Sequence, residues 1–93
     1  MPLVLGHKIG EGAQIGETIE VKVLSVNPNK KQATLEFRIG EAIDIRTIQN
    51  GDNVNVTSDV IVGLPINPRM TDDGVHLVYV VPTHYKISRK KYD

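Results

Sequence analysis

Several features are missing from this sequence, and each absence narrows the protein classes to which the chain can belong. There is no cysteine, so a disulfide, a thiolate nucleophile and a cysteine-ligated zinc site are excluded. No apolar run approaches the roughly 20 residues of a membrane-spanning helix. The first residues lack the charged start and long apolar stretch of a signal peptide. We therefore expect a cytoplasmic protein with no membrane partner.

The chain also has no excess of either charge. Its 11 Lys and Arg residues balance 11 Asp and Glu residues, and residues 1–50 and 51–93 are separately neutral. This composition does not indicate a strongly basic nucleic-acid binder, so any basic surface must come from local clustering. With 93 residues the chain makes one small domain with a thin core, which dimerisation would help to stabilise.

Alternating apolar and polar residues predict β-strands along most of the chain, and we find no amphipathic helix of three or more turns. The alternation is clear in residues 19–24, in 32–39, where Ala33, Leu35, Phe37 and Ile39 share a face, and in 75–81. The sequence therefore predicts the all-β class. Residues 1–49 form one β unit, and residues 50–93 form a strand-rich C-terminal extension packed on the same domain.

Three finer predictions concern the second half of the chain. Residues 54–57 and 60–62 are interpreted as one strand with a bulge at positions 58 and 59. Residues 64–74 contain two prolines and an Asp-Asp-Gly sequence, which predict an exposed loop. Residues 85–88 predict a last short strand.

Two Gly-Glu pairs separate short apolar runs near the start of the chain. Gly10 and Gly16 are expected in turns that require unusual φ angles. Glu11 and Glu17 could form a carboxylate pair for acid–base chemistry. No nucleophile or set of metal ligands accompanies them, so we interpret them as solvated turn residues.

Residues 3 to about 48 resemble the carbon storage regulator (CsrA/RsmA) family of small bacterial post-transcriptional regulators. Both Gly-Glu pairs match the family without gaps, in Lys8-Ile9-Gly10-Glu11 and Ile15-Gly16-Glu17, as does the strand pattern around them. The resemblance implies a five-stranded fold in which two chains exchange strands to form a homodimer. In this chain extra C-terminal strands replace the family's helix. It also implies binding of mRNA or small RNA at GGA-type sites and translational regulation. We expect no cofactor.

In the family each RNA site joins the first strand of one chain to the fifth strand of the other. The RNA-binding residues that the resemblance implies here are Leu5, Gly6, His7, Lys8, Ile43, Ile45, Arg46 and Thr47. The family commonly has two arginines where this chain has His7 and Lys8. Its fifth-strand arginine aligns with Thr47, one position from Arg46. Arginine contacts phosphate or guanine at two points, so these departures weaken the implied site.

A second hypothesis follows from the missing arginines and the zero net charge. In that case the scaffold has lost RNA binding and acts as a protein–protein interaction or structural module with a protein partner.

The last ten residues carry four positive charges and two tyrosines, a combination that suits single-stranded RNA. The candidates for further RNA contacts in this tail are Lys86, Arg89, Lys90 and Lys91. A frayed, solubilising terminus is the alternative interpretation.

Neither a metal site nor a catalytic centre is predicted. The spacing of His7, His76, His84, Asp72 and Asp73 matches no common metal-ligand motif. Nothing in the chain combines a nucleophile, a base and an orienting group, so we expect no enzymatic activity.

Overall fold

The structure, a computed structural model, describes residues 3–91. Strands are the regular secondary structure of this part of the chain, and turns and loops connect them. No helix long and apolar enough to cross a membrane is found in it. The predicted all-β class is confirmed. The strands are β1 (Leu3–Lys8), β2 (Glu11–Ile15), β3 (Ile19–Asn27), β4 (Gln32–Ile39), β5 (Ala42–Gln49), β6 (Asn53–Asn55), β7 (Ile61–Gly63), β8 (Gly74–Val80) and β9 (Ile87–Lys91).

The strands form two antiparallel sheets whose inner faces share one core. The first sheet has the order β1-β8-β7-β6 and the second has the order β5-β4-β3-β2-β9. Alternate side chains along each strand point inward, as in β4, where Ala33, Leu35 and Phe37 are buried. Ile39, expected on the same face, is 37% exposed at the end of the strand. The core consists of Ala13, Ile15, Ile19, Val21, Val23, Ala33, Leu35, Phe37, Ile48, Val54, Val60, Val62, Leu64, Val75, Leu77 and Tyr79.

Both sheets combine strands from residues 1–49 and residues 50–93. In the first sheet β1 pairs with β8, from Leu3 opposite Tyr79 to Lys8 opposite Gly74. In the second sheet β9 adds to the outer side of β2, with Ile15 opposite Ile87. The extension is therefore not a separate layer, because it supplies the partner of β1 and the outer neighbour of β2.

The two glycines of the Gly-Glu pairs lie in turns with positive φ, as predicted. Gly16, with a φ of 62°, is the first residue of the turn that joins β2 to β3. Gly10, with a φ of 88°, does not close a hairpin, because β1 and β2 belong to different sheets. At this point the chain crosses between the sheets, and the Gly10 N–H donates to the carbonyl of Val23 at 2.9 Å.

The three finer predictions for the second half need correction. Residues 54–62 are not one strand, because β6 and β7 form a hairpin in which the Val56 N–H donates to the Val60 carbonyl. The loop of residues 64–74 is exposed only in part, since Leu64 and Pro68 are buried. The last strand begins two residues later than predicted, at Ile87, because residues 82–85 form a turn.

Candidate nucleic-acid interface

A cleft of about 640 Å³ lies between β1, the loop that precedes β8, and β9. It brings residues that are distant in sequence to one place, because β1 pairs with β8 and β9 pairs with β2. The residues that line it are Gly6, His7, Lys8, Glu11, Pro68, Arg69, Met70, Thr71, Asp73, Gly74, Val75, His76 and Arg89.

Gly6 allows an imidazole ring to lie close to the backbone of β1. Gly6 is directly opposite His76 on β8. A Cβ atom at position 6 would lie 3.0 Å from Nε2 of His76. The other ring nitrogen of His76, Nδ1, lies 3.4 Å from the carbonyl oxygen of Arg69. Because Gly6 has no side chain, there is room for the ring of His76 beside β1 in the cleft.

His7 is the buried polar residue of β1. Its side chain is 3% exposed, and its Nε2 atom is 2.7 Å from the hydroxyl oxygen of Tyr79. Burial lowers the pKa of His7 from 6.5 to about 4, and the positive charge of Arg89 acts in the same direction. His7 is therefore neutral near pH 7, so the positive charge of the cleft comes from other residues.

Three cations line the cleft, and none of them forms an ion pair within 4.0 Å with a carboxylate in residues 3–91: Lys8, Arg69 and Arg89. Arg89 connects the two sheets, because its Nη1 donates to the carbonyl of Gly6 on β1 at 3.2 Å. Arg69 precedes β8 in the loop that forms one wall of the cleft. The cleft therefore offers two planar guanidinium groups and one ammonium group to an anionic ligand.

Two carboxylates also line the cleft, and both accept hydrogen bonds from neighbouring groups. Glu11 accepts the backbone N–H of Lys8 at 3.0 Å, and this bond lowers the pKa of Glu11. Asp73 accepts the hydroxyl of Thr71 at 2.8 Å. The three cations outnumber these two carboxylates, so the lining has an excess of positive charge.

The fifth-strand residues implied by the resemblance lie elsewhere in the chain. β5 is the outer strand of the second sheet, at the opposite end from β9. Ile43 and Ile45 are 54% and 57% exposed, and Nε of Arg46 contacts Oδ2 of Asp44 at 2.8 Å. The Thr47 hydroxyl is 2.9 Å from that of Thr34 on β4. Within one chain these residues are not brought together with Leu5, Gly6, His7 and Lys8.

The four tail candidates have different surroundings. Arg89 is in the cleft, Lys90 forms an ion pair with Glu20, and Nζ of Lys91 is 4.0 Å from Oε2 of Glu11. Lys86 is exposed just before β9. Because residues 87–91 form a paired strand, the frayed-terminus interpretation is wrong for them. Tyr92 and Asp93, also in the tail, lie outside the described residues.

Sequence reasoning missed Arg69 and His76 as cleft residues. Nothing local marks either one, because their place beside Gly6 depends on the pairing of β1 with β8. An isolated arginine in a proline-containing loop is a common surface feature. The same described range, residues 3–91, contains no group of three or more His, Asp or Glu side chains arranged to hold a metal ion.

No protein-family model matches the chain, and no curated protein or solved structure matches it. The resemblance to the carbon storage regulator family therefore rests on the spacing of the Gly-Glu pairs and the strand pattern alone.

Proposed function

We propose that the cleft beside β1 binds single-stranded RNA at a GGA-type site and that the protein regulates translation by this binding. The observation that carries the proposal is the convergence of Lys8, Arg69 and Arg89 on one cleft, where none of them forms an ion pair with a carboxylate of the described range. Clustered cations attract the phosphate backbone of a nucleic acid even when the net charge of the protein is zero. The choice of RNA and of a GGA site comes from the resemblance.

The two arginines supply the guanidinium groups that positions 7 and 8 lack. A guanidinium can contact a phosphate or the O6 and N7 atoms of guanine at two points, which an ammonium cannot do. In the proposed complex Arg69 and Arg89 contact guanine or phosphate, and Lys8 contacts phosphate as a point charge. The exposed ring of His76 offers a flat surface on which an unstacked base can lie.

Fluorescence anisotropy with two labelled RNA hairpins tests this proposal. One hairpin carries GGA in its loop, and the other carries the same loop nucleotides in scrambled order. We expect tighter binding of the GGA hairpin. Arg69→Ala and Arg89→Ala should each weaken binding by about 5- to 150-fold, corresponding to roughly 1–3 kcal/mol for a good bidentate contact. Lys8→Ala should weaken both RNAs alike and reduce the salt slope by about 0.7.

Lys30→Ala is the matched control, since Lys30 is exposed in the β3–β4 turn, outside the cleft. We expect it to leave both dissociation constants unchanged. Equal affinity of the wild-type chain for the two hairpins would overturn the GGA assignment. An effect of Lys30→Ala as large as that of Lys8→Ala would overturn the cleft as the binding site.

The proposed cleft lies within one chain, so the proposal does not require two chains to exchange strands. An exchanged homodimer, as the resemblance implies, would instead complete each site with β5 of the other chain. Arg46→Ala separates these arrangements. Binding that weakens as much as with Lys8→Ala supports an exchanged site, whereas unchanged binding supports the cleft alone.

A protein-interaction module is the second candidate, and the exposure of Ile43 and Ile45 on β5 favours it. Such a module binds neither hairpin above the level expected for non-specific charge attraction. The same titration therefore separates the two candidates before any partner is sought.

A further inference from the structure

β5 is an edge strand with one unpaired side. It pairs with β4 along its eight residues, from Gln49 opposite Gln32 to Ala42 opposite Ile39. Its other edge has no neighbouring strand within residues 3–91. All its side chains are exposed except Ile48. A long exposed edge is a template for pairing with another strand, so its side-chain pattern decides which strands it can accept.

Opposite charges alternate along one face of this edge. Asp44 and Arg46 point to the same side as Phe37 and Leu35, their partners on β4. Ile43 and Ile45 point to the other face, where they are more than half exposed. Within one chain, Asp44 and Arg46 have each other as ion-pair partners at 2.8 Å.

We propose that two copies of this chain pair through β5, antiparallel, about a two-fold axis at Ile45. In this register Asp44 lies opposite Arg46 of the second copy, and Arg46 lies opposite Asp44 of the second copy. Ile45 lies opposite itself on the other face. The two five-stranded sheets become one continuous ten-stranded sheet, stabilised by two cross-chain charge pairs and by contact between exposed isoleucines.

The same charges exclude the neighbouring registers. A shift of two residues in one direction places Asp44 opposite Asp44, and a shift in the other direction places Arg46 opposite Arg46. Like charges directly opposite each other destabilise a strand pair. A shift of one residue would turn the second copy over, so that the buried faces of the two sheets would lie on opposite sides of the joined sheet. Among these neighbouring registers, only the one centred on Ile45 places each charge opposite a charge of the other sign.

This dimer goes beyond the proposed RNA function and does not depend on it. Each chain keeps all its strands in its own sheets, so the copies can separate without unfolding. The cleft at β1 and β9 is at the other end of the second sheet from β5 and stays open.

Sedimentation velocity of the full chain over a range of concentrations tests the pairing. We expect a reversible monomer–dimer equilibrium for the wild type. Arg46→Asp and Asp44→Arg should each weaken self-association by about tenfold or more, because each places like charges opposite each other. An equimolar mixture of these two variants should restore the dimer, since every pair is then of opposite charge. Lys30→Asp, the matched charge change away from β5, should have no effect.

Disulfide trapping tests the register separately. The natural chain has no cysteine, so a single introduced thiol reports one contact. Ile45→Cys places two thiols directly opposite each other at a separation that suits a disulfide, whereas Ile43→Cys places each opposite Thr47. We expect a covalent dimer with Ile45→Cys and little with Ile43→Cys.

A wild-type chain that stays monomeric up to millimolar concentration would overturn the proposal. So would a mixture of the two charge variants that associates no better than either alone, or equal disulfide formation at positions 43 and 45. Because the measurements contain no RNA and alter no cleft residue, their outcome is independent of the RNA titration.

Discussion

His7 and Tyr79 form a buried side-chain hydrogen bond within a core that is otherwise apolar. His7 is the buried polar residue among those described, and its ring meets that of Tyr79 edge-on, with 5.9 Å between the ring centroids. In the folded state neither polar atom can exchange its partner for bulk water without opening the first sheet. The pair therefore links β1 to β8 more specifically than apolar contact alone.

Tyr79→Phe should destabilise the protein, because it removes the hydroxyl that lies 2.7 Å from Nε2 of His7. We expect the free energy of unfolding to fall by about 1–3 kcal/mol, the cost of leaving a buried polar atom unpaired. Urea denaturation followed by circular dichroism measures the change. Tyr85→Phe, at a half-buried tyrosine outside the strands, is the control, and an equal loss in both variants would contradict this account.

The lowered pKa of His7 predicts how stability depends on pH. His7 titrates near pH 4 in the folded protein and near pH 6.5 when unfolded, so between these values the unfolded state binds more protons. The contribution of His7 to stability is therefore fully present above pH 6.5, and it is lost as the pH falls towards 4. The slope for one proton is at most about 1.4 kcal/mol per pH unit.

Denaturant unfolding of the wild type and of His7→Gln between pH 7 and pH 4 measures this contribution. The variant has no group titrating at position 7, so its stability should fall less steeply over this range. Parallel curves for the two proteins would show that His7 does not contribute to the pH dependence.

At the scale of single elements, β5 is attached to the core by one side chain. Ile48 is 3% exposed, and the other residues of the strand are exposed. The part of β5 from Ala42 to Thr47 therefore depends on hydrogen bonds to β4 rather than on burial. Its low apolar burial makes β5 a strand that opens locally at low cost.

Ile48→Ala should cost about 2–5 kcal/mol of unfolding free energy, as expected when a buried isoleucine is truncated. Ile66→Ala removes the same atoms from a side chain that is 78% exposed and should change stability by less than about 0.5 kcal/mol. Thermal or urea unfolding at low protein concentration compares the two. Similar losses would mean that Ile48 is not the anchor of β5.

Element types were predictable where the alternation is strict, and less so elsewhere. The strand of residues 32–39 was predicted with its bounds, because its alternation matches a half-buried strand. The β6–β7 hairpin was missed because the apolar pattern continues on both sides of Ser58 and Asp59 without a glycine. The turn is instead stabilised by the Thr57 hydroxyl, which donates to Asp59 at 2.8 Å, a contact that no periodicity reveals.

For the molecule as a whole, contacts between distant segments decide the architecture. The hairpins from β2 to β5 join neighbours in sequence, and the sequence predicted β4, most of β3 and the turn at Gly16 between β2 and β3. The pairing of β1 with β8 joins residues about 70 positions apart, such as Gly6 and His76, and leaves no local pattern. Lys8 was a candidate contact because the family resemblance covers its position. Arg69 was not, because it lies in the cleft only through the pairing of β1 with β8.

Residues 1–49 alone should not fold as a monomer. This fragment keeps β1 to β5 but lacks β8, which pairs with β1, and β9, which covers the outer edge of β2. It also loses seven of the sixteen buried core residues. Circular dichroism and gel filtration of the fragment measure this. A cooperatively unfolding monomer would contradict the prediction, whereas a folded dimer would support strand exchange.

The pairing of β1 with β8 also has a consequence during synthesis on the ribosome. Lys8 and Gly74 are partners at one end of the pair, so β1 leaves the ribosome long before its partner is made. At about 5–20 residues per second, the interval is on the order of 3–13 seconds. Throughout that time Leu5 and His7 have no strand to cover them. A newly made chain therefore passes through a state in which its first strand is available to other chains, and slower translation lengthens that exposure.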